Sequence, residues 1–110
     1  MVVKSYLQVK PLVRRLLWQK PELRNSDKHL FWEYFKEMGL TIKPNSQNEE
    51  ILIVSKSEWM QLHEMESITR ARRKLQEEEP ELRADADIER ERELEEDAMR
   101  HTLKEEKRWF

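Results

Sequence analysis

One glycine, Gly39, serves a chain of 110 residues, and that scarcity constrains the fold more than any other feature. Hairpin turns and barrel corners lean on the left-handed backbone that glycine adopts without strain. A chain with one glycine, four prolines and no cysteine is therefore poorly supplied for a turn-rich β fold and better suited to helices. The missing cysteines also remove disulfides, thiolate nucleophiles and cysteine-built metal sites. The length supports one small domain. No apolar run approaches the roughly 18 residues of a membrane span, and Met1-Val2-Val3-Lys4-Ser5-Tyr6 shows no long apolar stretch before a small-residue cleavage site. The expectation is a soluble, cytoplasmic protein with no membrane partner.

Helical periodicity is strongest near the start. Val9, Leu12, Val13, Leu16 and Leu17 repeat at i, i+3, i+4, i+7 and i+8, which predicts a helix beginning near Lys10 or just before, with Pro11 tolerated in its first turn. Pro21 closes it. A second helix follows Asn25-Ser26, whose side chains can accept orphan N–H groups, with Asp27 in the first turn. It carries the stripe Leu30, Phe31, Tyr34, Phe35 and Met38 and ends at Gly39. Leu40-Thr41-Ile42-Lys43 and Ile51-Leu52-Ile53-Val54 favour strands around a turn-like Pro44-Asn45-Ser46-Gln47-Asn48. That leaves two readings open, a short β-hairpin or a lead into a helix from Ser57 to about Leu62. Glu66 to Glu79 reads as an amphipathic helix interrupted by Pro80. Residues 81–108, with eleven acidic and seven basic side chains, read as a long solvated helix; pairs such as Glu96 with Arg100 and Asp87 with Arg90 have helix-supporting spacing.

The fold class is mainly α: residues 1–80 as a helical core domain, residues 81–110 as a charged helical extension. The expected core is Leu12, Val13, Leu16, Leu17, Phe31, Tyr34, Phe35, Met38, Trp59, Leu62, Ile68 and Leu75, with Trp18 and Trp32 also read as packing residues.

Charge is divided along the chain. Residues 1–48 hold nine basic and four acidic side chains, whereas residues 49–110 hold twelve and nineteen. Beyond the basic block lies the stretch where hydrogen-bonding chemistry concentrates. At about 100° per residue, Ile68, Ala71, Arg72 and Leu75 fall on one side of a helix; Glu66, Thr69, Arg73 and Gln76 fall on the other with Arg70 beside them. Arginine binds guanine bidentately, glutamine binds adenine, and threonine reaches base or phosphate, so this face suits a major groove. Following a short helix and a tight turn, it has the outline of a helix-turn-helix. Thr69, Arg70, Arg73, Lys74 and Gln76 are then the candidate contacts to duplex DNA, and Arg14, Arg15 and Lys20 auxiliary phosphate contacts. A solvated helix whose bases neutralise Glu64, Glu66 and Glu77-Glu78-Glu79 accounts for the same residues, and the acidic C-terminal region would repel a phosphate backbone.

The blocks Pro21-Glu22-Leu23-Arg24-Asn25-Ser26-Asp27 and Glu66-Ser67-Ile68-Thr69-Arg70-Ala71-Arg72-Arg73-Lys74-Leu75-Gln76-Glu77-Glu78-Glu79-Pro80-Glu81-Leu82-Arg83 together resemble a family of small, largely uncharacterised bacteriophage and prophage proteins. The likeness covers about half the chain. It implies that the first block joins two helices and that the second is a recognition-like helix, and it transfers no settled activity. The family usually opens the second block with Ser/Thr-Pro; here Glu64-Met65 stands there, which implies a weaker helix cap. The leading reading is a phage-type DNA-binding or transcription-regulating protein that uses the basic recognition-like helix; phage origin implies the alternative, an inhibitor or modulator of a host protein that acts through the acidic C-terminal helix. Glu89, Glu93, Glu96, Trp109 and Phe110 are the candidate partner contacts for that alternative. A homodimer through the sparse apolar stripe of residues 88–103 stays open.

Catalysis has little to build on. His29, His63 and His101 stand apart on separate segments and read as solvated, and a single glycine allows no phosphate-cradling loop. No flanking sequence would bury a carboxylate and raise its pKa. The expectation is a protein without catalytic residues, metal or cofactor.

Overall fold

A computed structural model of the chain describes residues 3–4 and 7–108, with side chains described as far as Arg100. Helix α1, Val9–Gln19, forms on the expected stripe and buries Leu12, Val13, Leu16 and Leu17. Each fully buried aliphatic side chain of this kind contributes about 1.5–3 kcal/mol. Pro21 opens a 3-10 turn over Pro21–Asn25 that drops Leu23 into the core. Ser26 then caps helix α2, Asp27–Glu37, its hydroxyl accepting from the His29 N–H at 3.4 Å. Leu30, Tyr34 and Phe35 are buried along α2, with Met38 just beyond. Gly39 has φ 97°, a left-handed position that the chain's one glycine fills.

The hairpin reading holds. Strands β1, Thr41–Pro44, and β2, Glu50–Ile53, pair antiparallel with Thr41 opposite Ile53 and Pro44 opposite Glu50. The loop is tied by Asn45, whose carboxamide oxygen accepts from the N–H groups of Gln47 and Glu49, both at 2.9 Å. Helix α3, Lys56–Gln61, starts from a capping box. The Ser55 hydroxyl accepts from Glu58 N–H at 3.2 Å, and the Glu58 carboxylate accepts from Ser55 N–H at 3.0 Å. These reciprocal bonds place the start slightly before the expected Ser57.

Helix α4, Met65–Glu78, follows the turn at residues 62–64, and its cap Glu64 makes no side-chain capping bond. It lies along α1, where Lys10 meets Glu78 at 2.9 Å and Arg14 meets Glu79 at 2.7 Å. A second 3-10 turn, Pro80–Leu82, leads into α5, Ala86–Arg108.

Three expectations need correction. The core does not stop at Pro80. Leu82 is wholly buried in it, Ala84 is buried beside it, and Asn25 clamps Asp85 through Asp85 N–H to Oδ1 at 2.9 Å and Nδ2 to Oδ2 at 3.1 Å. Trp59 is not core. It is 55% exposed, because α3 buries none of its residues. Trp18 is also largely exposed and lies beneath the guanidinium groups of Arg14 and Arg24, 6.0 and 5.8 Å from its ring centre. Phe31, Trp32 and Leu62 are half-buried. Leu23, Leu30, Leu40 and Ala71 join the core besides the expected residues.

Candidate functional site

Helix α4 presents two faces, and the structure divides its polar residues differently from a simple apolar-against-polar reading. Ile68, Ala71, Arg72, Leu75 and Gln76 are all buried. These five positions continue the i, i+3, i+4, i+7, i+8 series, so Gln76 completes the inward stripe and does not face solvent. The expected base contact from Gln76 is therefore corrected. Its Nε2 donates to the backbone oxygens of Arg24 at 3.2 Å and Leu82 at 3.0 Å, and its Oε1 accepts from Arg72 Nη1 at 3.3 Å. Both carbonyls belong to segments that leave the helical ladder at the two 3-10 turns, and the carboxamide satisfies them.

Arg72 and Asp27 complete this buried network. The guanidinium donates from Nε to Oδ1 and from Nη2 to Oδ2, both at 3.0 Å, a bidentate fork that ties α4 to the first turn of α2. Arg92 of α5 enters from the other side, donating from Nη1 to the Arg24 carbonyl at 3.1 Å, with Nη2 4.0 Å from Asp27. Burial, reinforced by repulsion from Arg72, lowers the Arg92 pKa from the ordinary arginine value. Among the described residues, no buried side-chain nitrogen or oxygen is left without a hydrogen bond.

The outward face carries Arg70, Arg73 and Lys74, all exposed, with Thr69 half-buried beside them. Arg70 pairs with Glu66, and Arg73 reaches Glu96 of α5 at 3.5 Å. The auxiliary cations are committed too. Arg15 binds Glu37 at 2.9 Å and Lys20 binds Glu33 at 2.7 Å, while Arg14 holds Glu79 through two donor nitrogens. The Arg14–Glu79 hydrogen bond raises the arginine pKa and lowers that of the carboxyl, and the bond to Glu33 raises that of Lys20. A phosphate backbone approaching these residues meets cations already shared with the chain's own carboxylates.

Helix α5 runs beside α4 for its first turns and forms one wall of a cleft of about 490 Å³. Arg72, Arg73, Arg92 and Arg100 line that cleft together with Glu89, Glu93 and Glu96. Of the three acidic partner candidates, Glu89 and Glu96 are therefore half-buried against the domain, while Glu93 is exposed at the cleft. The spacing of Glu96 to Arg100 does not produce that pair either, since Arg100 lies 3.9 Å from Asp97 and Glu96 turns to Arg73. A different acidic row is exposed. Asp87, Glu91 and Glu95 lie at i, i+4 and i+8, with Leu94 beside them at 63% exposure; Asp87 and Glu91 face outward, and Glu95 stands at the rim of a hollow lined by Asp27, Arg72, Arg73 and Arg92. Counting charge along the sequence found α5 acidic, and only the orientation set by Ile88, Arg92 and Glu96 separates the inward from the outward carboxylates. Trp109 and Phe110 lie outside the described residues.

His63 is half-buried, which corrects its reading as solvated. Its Nδ1 lies 2.6 Å from the Tyr34 hydroxyl, and burial pushes the Tyr34 pKa up to about 12. His63 lines a 260 Å³ hollow together with Phe35, Trp59, Leu62, Glu64 and Met65. Among the described residues, no group of three His, Cys, Asp or Glu side chains is placed to hold a metal ion, and no helix is long and apolar enough to cross a membrane.

No protein-family model, curated protein or solved structure matches the chain.

Proposed function

We infer that the protein works by binding, without catalysis, as a modulator that docks the outward acidic row of α5 on a basic surface of another protein. One contrast carries the reading. Arg14, Arg15, Lys20, Arg70 and Arg73 each pair with a carboxylate of the same chain, whereas Asp87, Glu91 and Glu95 are exposed and make no ion pair among the described residues. Self-neutralised cations offer little net field to a nucleic acid, while an unpaired carboxylate row on a rigid helix steers toward a cationic patch and fixes register with it. Leu94 supplies an apolar contact beside that row. In the phage setting that the sequence resemblance implies, the partner is a host protein with a basic, nucleic-acid-handling surface.

The test is affinity capture from bacterial host lysate with the full chain and with the triple variant Asp87→Lys, Glu91→Lys, Glu95→Lys. The expected result is a specific partner that is retained by the natural chain, is lost with the variant, and elutes between about 50 and 200 mM salt as exposed charges are screened. Equal capture by both chains would overturn the reading.

A second reading rests on Arg70, Arg73 and Lys74, which are exposed together on the outward face of α4. Under it, duplex DNA binds in a salt-sensitive manner, and Arg73→Ala weakens binding by about 1–3 kcal/mol. Fluorescence anisotropy of labelled duplex measures this directly. Unchanged affinity in that variant would remove the base-reading role.

A further inference from the structure

The two edges of the hairpin are chemically unequal. Pro44 has no N–H, so Pro44 opposite Glu50 must be a non-hydrogen-bonded pair, and the bond from Asn45 N–H to the Glu49 carbonyl at 2.8 Å fixes the same alternation. Ile51 and Ile53 therefore spend their backbone groups on β1, while Glu50, Leu52 and Val54 direct theirs to the free edge of β2. On β1 it is Pro44 that occupies the free edge, a usual device for blunting it. On β2 only Glu50, at the start of the strand, brings a charge to the free edge. The run Ile51-Leu52-Ile53-Val54 contains no proline or charge, and Ile51, Ile53 and Val54 are 39%, 42% and 40% exposed. Leu52 packs inward against the core, so Ile51 and Ile53 share the outer face of the sheet.

We propose that the free edge of β2 pairs with β2 of a second copy of this chain, giving a four-stranded antiparallel sheet across a two-fold axis. Antiparallel partners must point their side chains to the same face, and the bonded positions must be those whose backbone groups are free. A register meeting both conditions sets Leu52 opposite Leu52 and Glu50 opposite Val54 as hydrogen-bonded pairs. It also sets Ile51 of each copy opposite Ile53 of the other, which joins the exposed isoleucines into one cross-strand patch. The charges agree with it. Glu50 of one copy faces Val54 of the other and Glu49 faces Ser55, next to Lys56 at the start of α3, so no like charges face each other. An extended peptide from another protein would satisfy the backbone groups but would have no reason to repeat this particular alternation. The edge is short, so the association is weak and depends on concentration. It is independent of the sparse stripe on α5.

Sedimentation velocity of the full chain from about 1 μM to 1 mM covers the affinity range of such a contact. The expected result is a rise in mass from the 13.6 kDa monomer toward a dimer. Amide exchange measured at both ends of that range should slow about tenfold at Leu52 and Val54, with no change at Ile51 and Ile53, which already bond β1. Ile51→Lys and Ile53→Glu alter exposed positions and should each weaken the dimer about tenfold or more. An equimolar mixture of the two variants should recover it, because the ammonium introduced in one chain then faces the carboxylate introduced in the other. A monomer throughout, a dimer that leaves the Leu52 and Val54 amides unprotected, a dimer untouched by both substitutions, or variants that do not recover on mixing would each overturn the proposal.

Discussion

Helices α4 and α5 are both densely charged, yet one builds the core and the other stands largely outside it. In α4, Ile68, Ala71, Arg72, Leu75 and Gln76 hold the helical stripe without a gap, and the two polar members arrive with partners. In α5, Ile88 is half-buried, whereas Leu94 is 63% exposed on another side of the helix and Met99, three turns along on the side of Ile88, is 69% exposed. The two helices differ less in their number of apolar residues than in whether those residues recur at helical spacing. A helix joins a core when its stripe is continuous, and polar side chains can fill places in that stripe when backbone carbonyls await them.

That comparison breaks most sharply where the core leaves α4. Leu82→Ala should cost about 2–5 kcal/mol by opening a cavity beyond Pro80, read as a fall in the urea midpoint. Asp97→Ala, at an exposed position of α5, should leave the same midpoint in place. Within α4, Gln76→Ala should cost about 1–3 kcal/mol, because the Leu82 carbonyl loses its donor inside the protein and the Arg24 carbonyl keeps only that from Arg92. Gln76→Glu should not restore it, since a carboxylate cannot donate to them. Protons give a gentler probe. The Glu79 carboxyl is held below its ordinary value of 4.5 by Arg14, so the tie between α4 and α1 is present above that value and is lost as pH falls through the lowered one. Protection of the Glu79 amide, whose N–H bonds the Leu75 carbonyl at 2.8 Å, should fall on acidification below that range once each rate is referred to the intrinsic exchange rate at that pH. The smallest effect belongs to α5, where Leu94→Ala with Met99→Ala should shift stability by less than about 0.5 kcal/mol.

Most of the architecture was legible because it rests on local physics. The stripe of α1, the Ser26 cap of α2, the turn at Gly39 and the break at Pro80 are all written in short-range spacing. The capping box of α3 was missed, although Ser55 and Glu58 carry its spacing, and the helix begins at Lys56, just before the expected Ser57. Long-range chemistry was not legible. Nothing within α4 reveals that the Arg24 and Leu82 carbonyls lie within reach of Gln76, because those partners come from segments 52 positions before it and 6 after. The exposure of Trp59 was hidden for a related reason, as an aromatic residue on a six-residue helix reads as packed until that helix is seen to bury nothing. Candidate cations were found as residues but not as pairs, since Arg14 and Glu79 are 65 positions apart.

The shallow seat of α5 has a consequence for how such a chain changes over generations. Its contacts with the domain run through Ile88, Glu89, Arg92 and Glu96, and the described side chains beyond Glu96 are exposed. Substitutions on the outward flank therefore escape the stability threshold that disciplines Gln76 and Leu82. Mutational drift can rewrite that flank while the Asp27–Arg72 fork stands still, so the surface that meets a partner can diverge much faster than the scaffold that carries it.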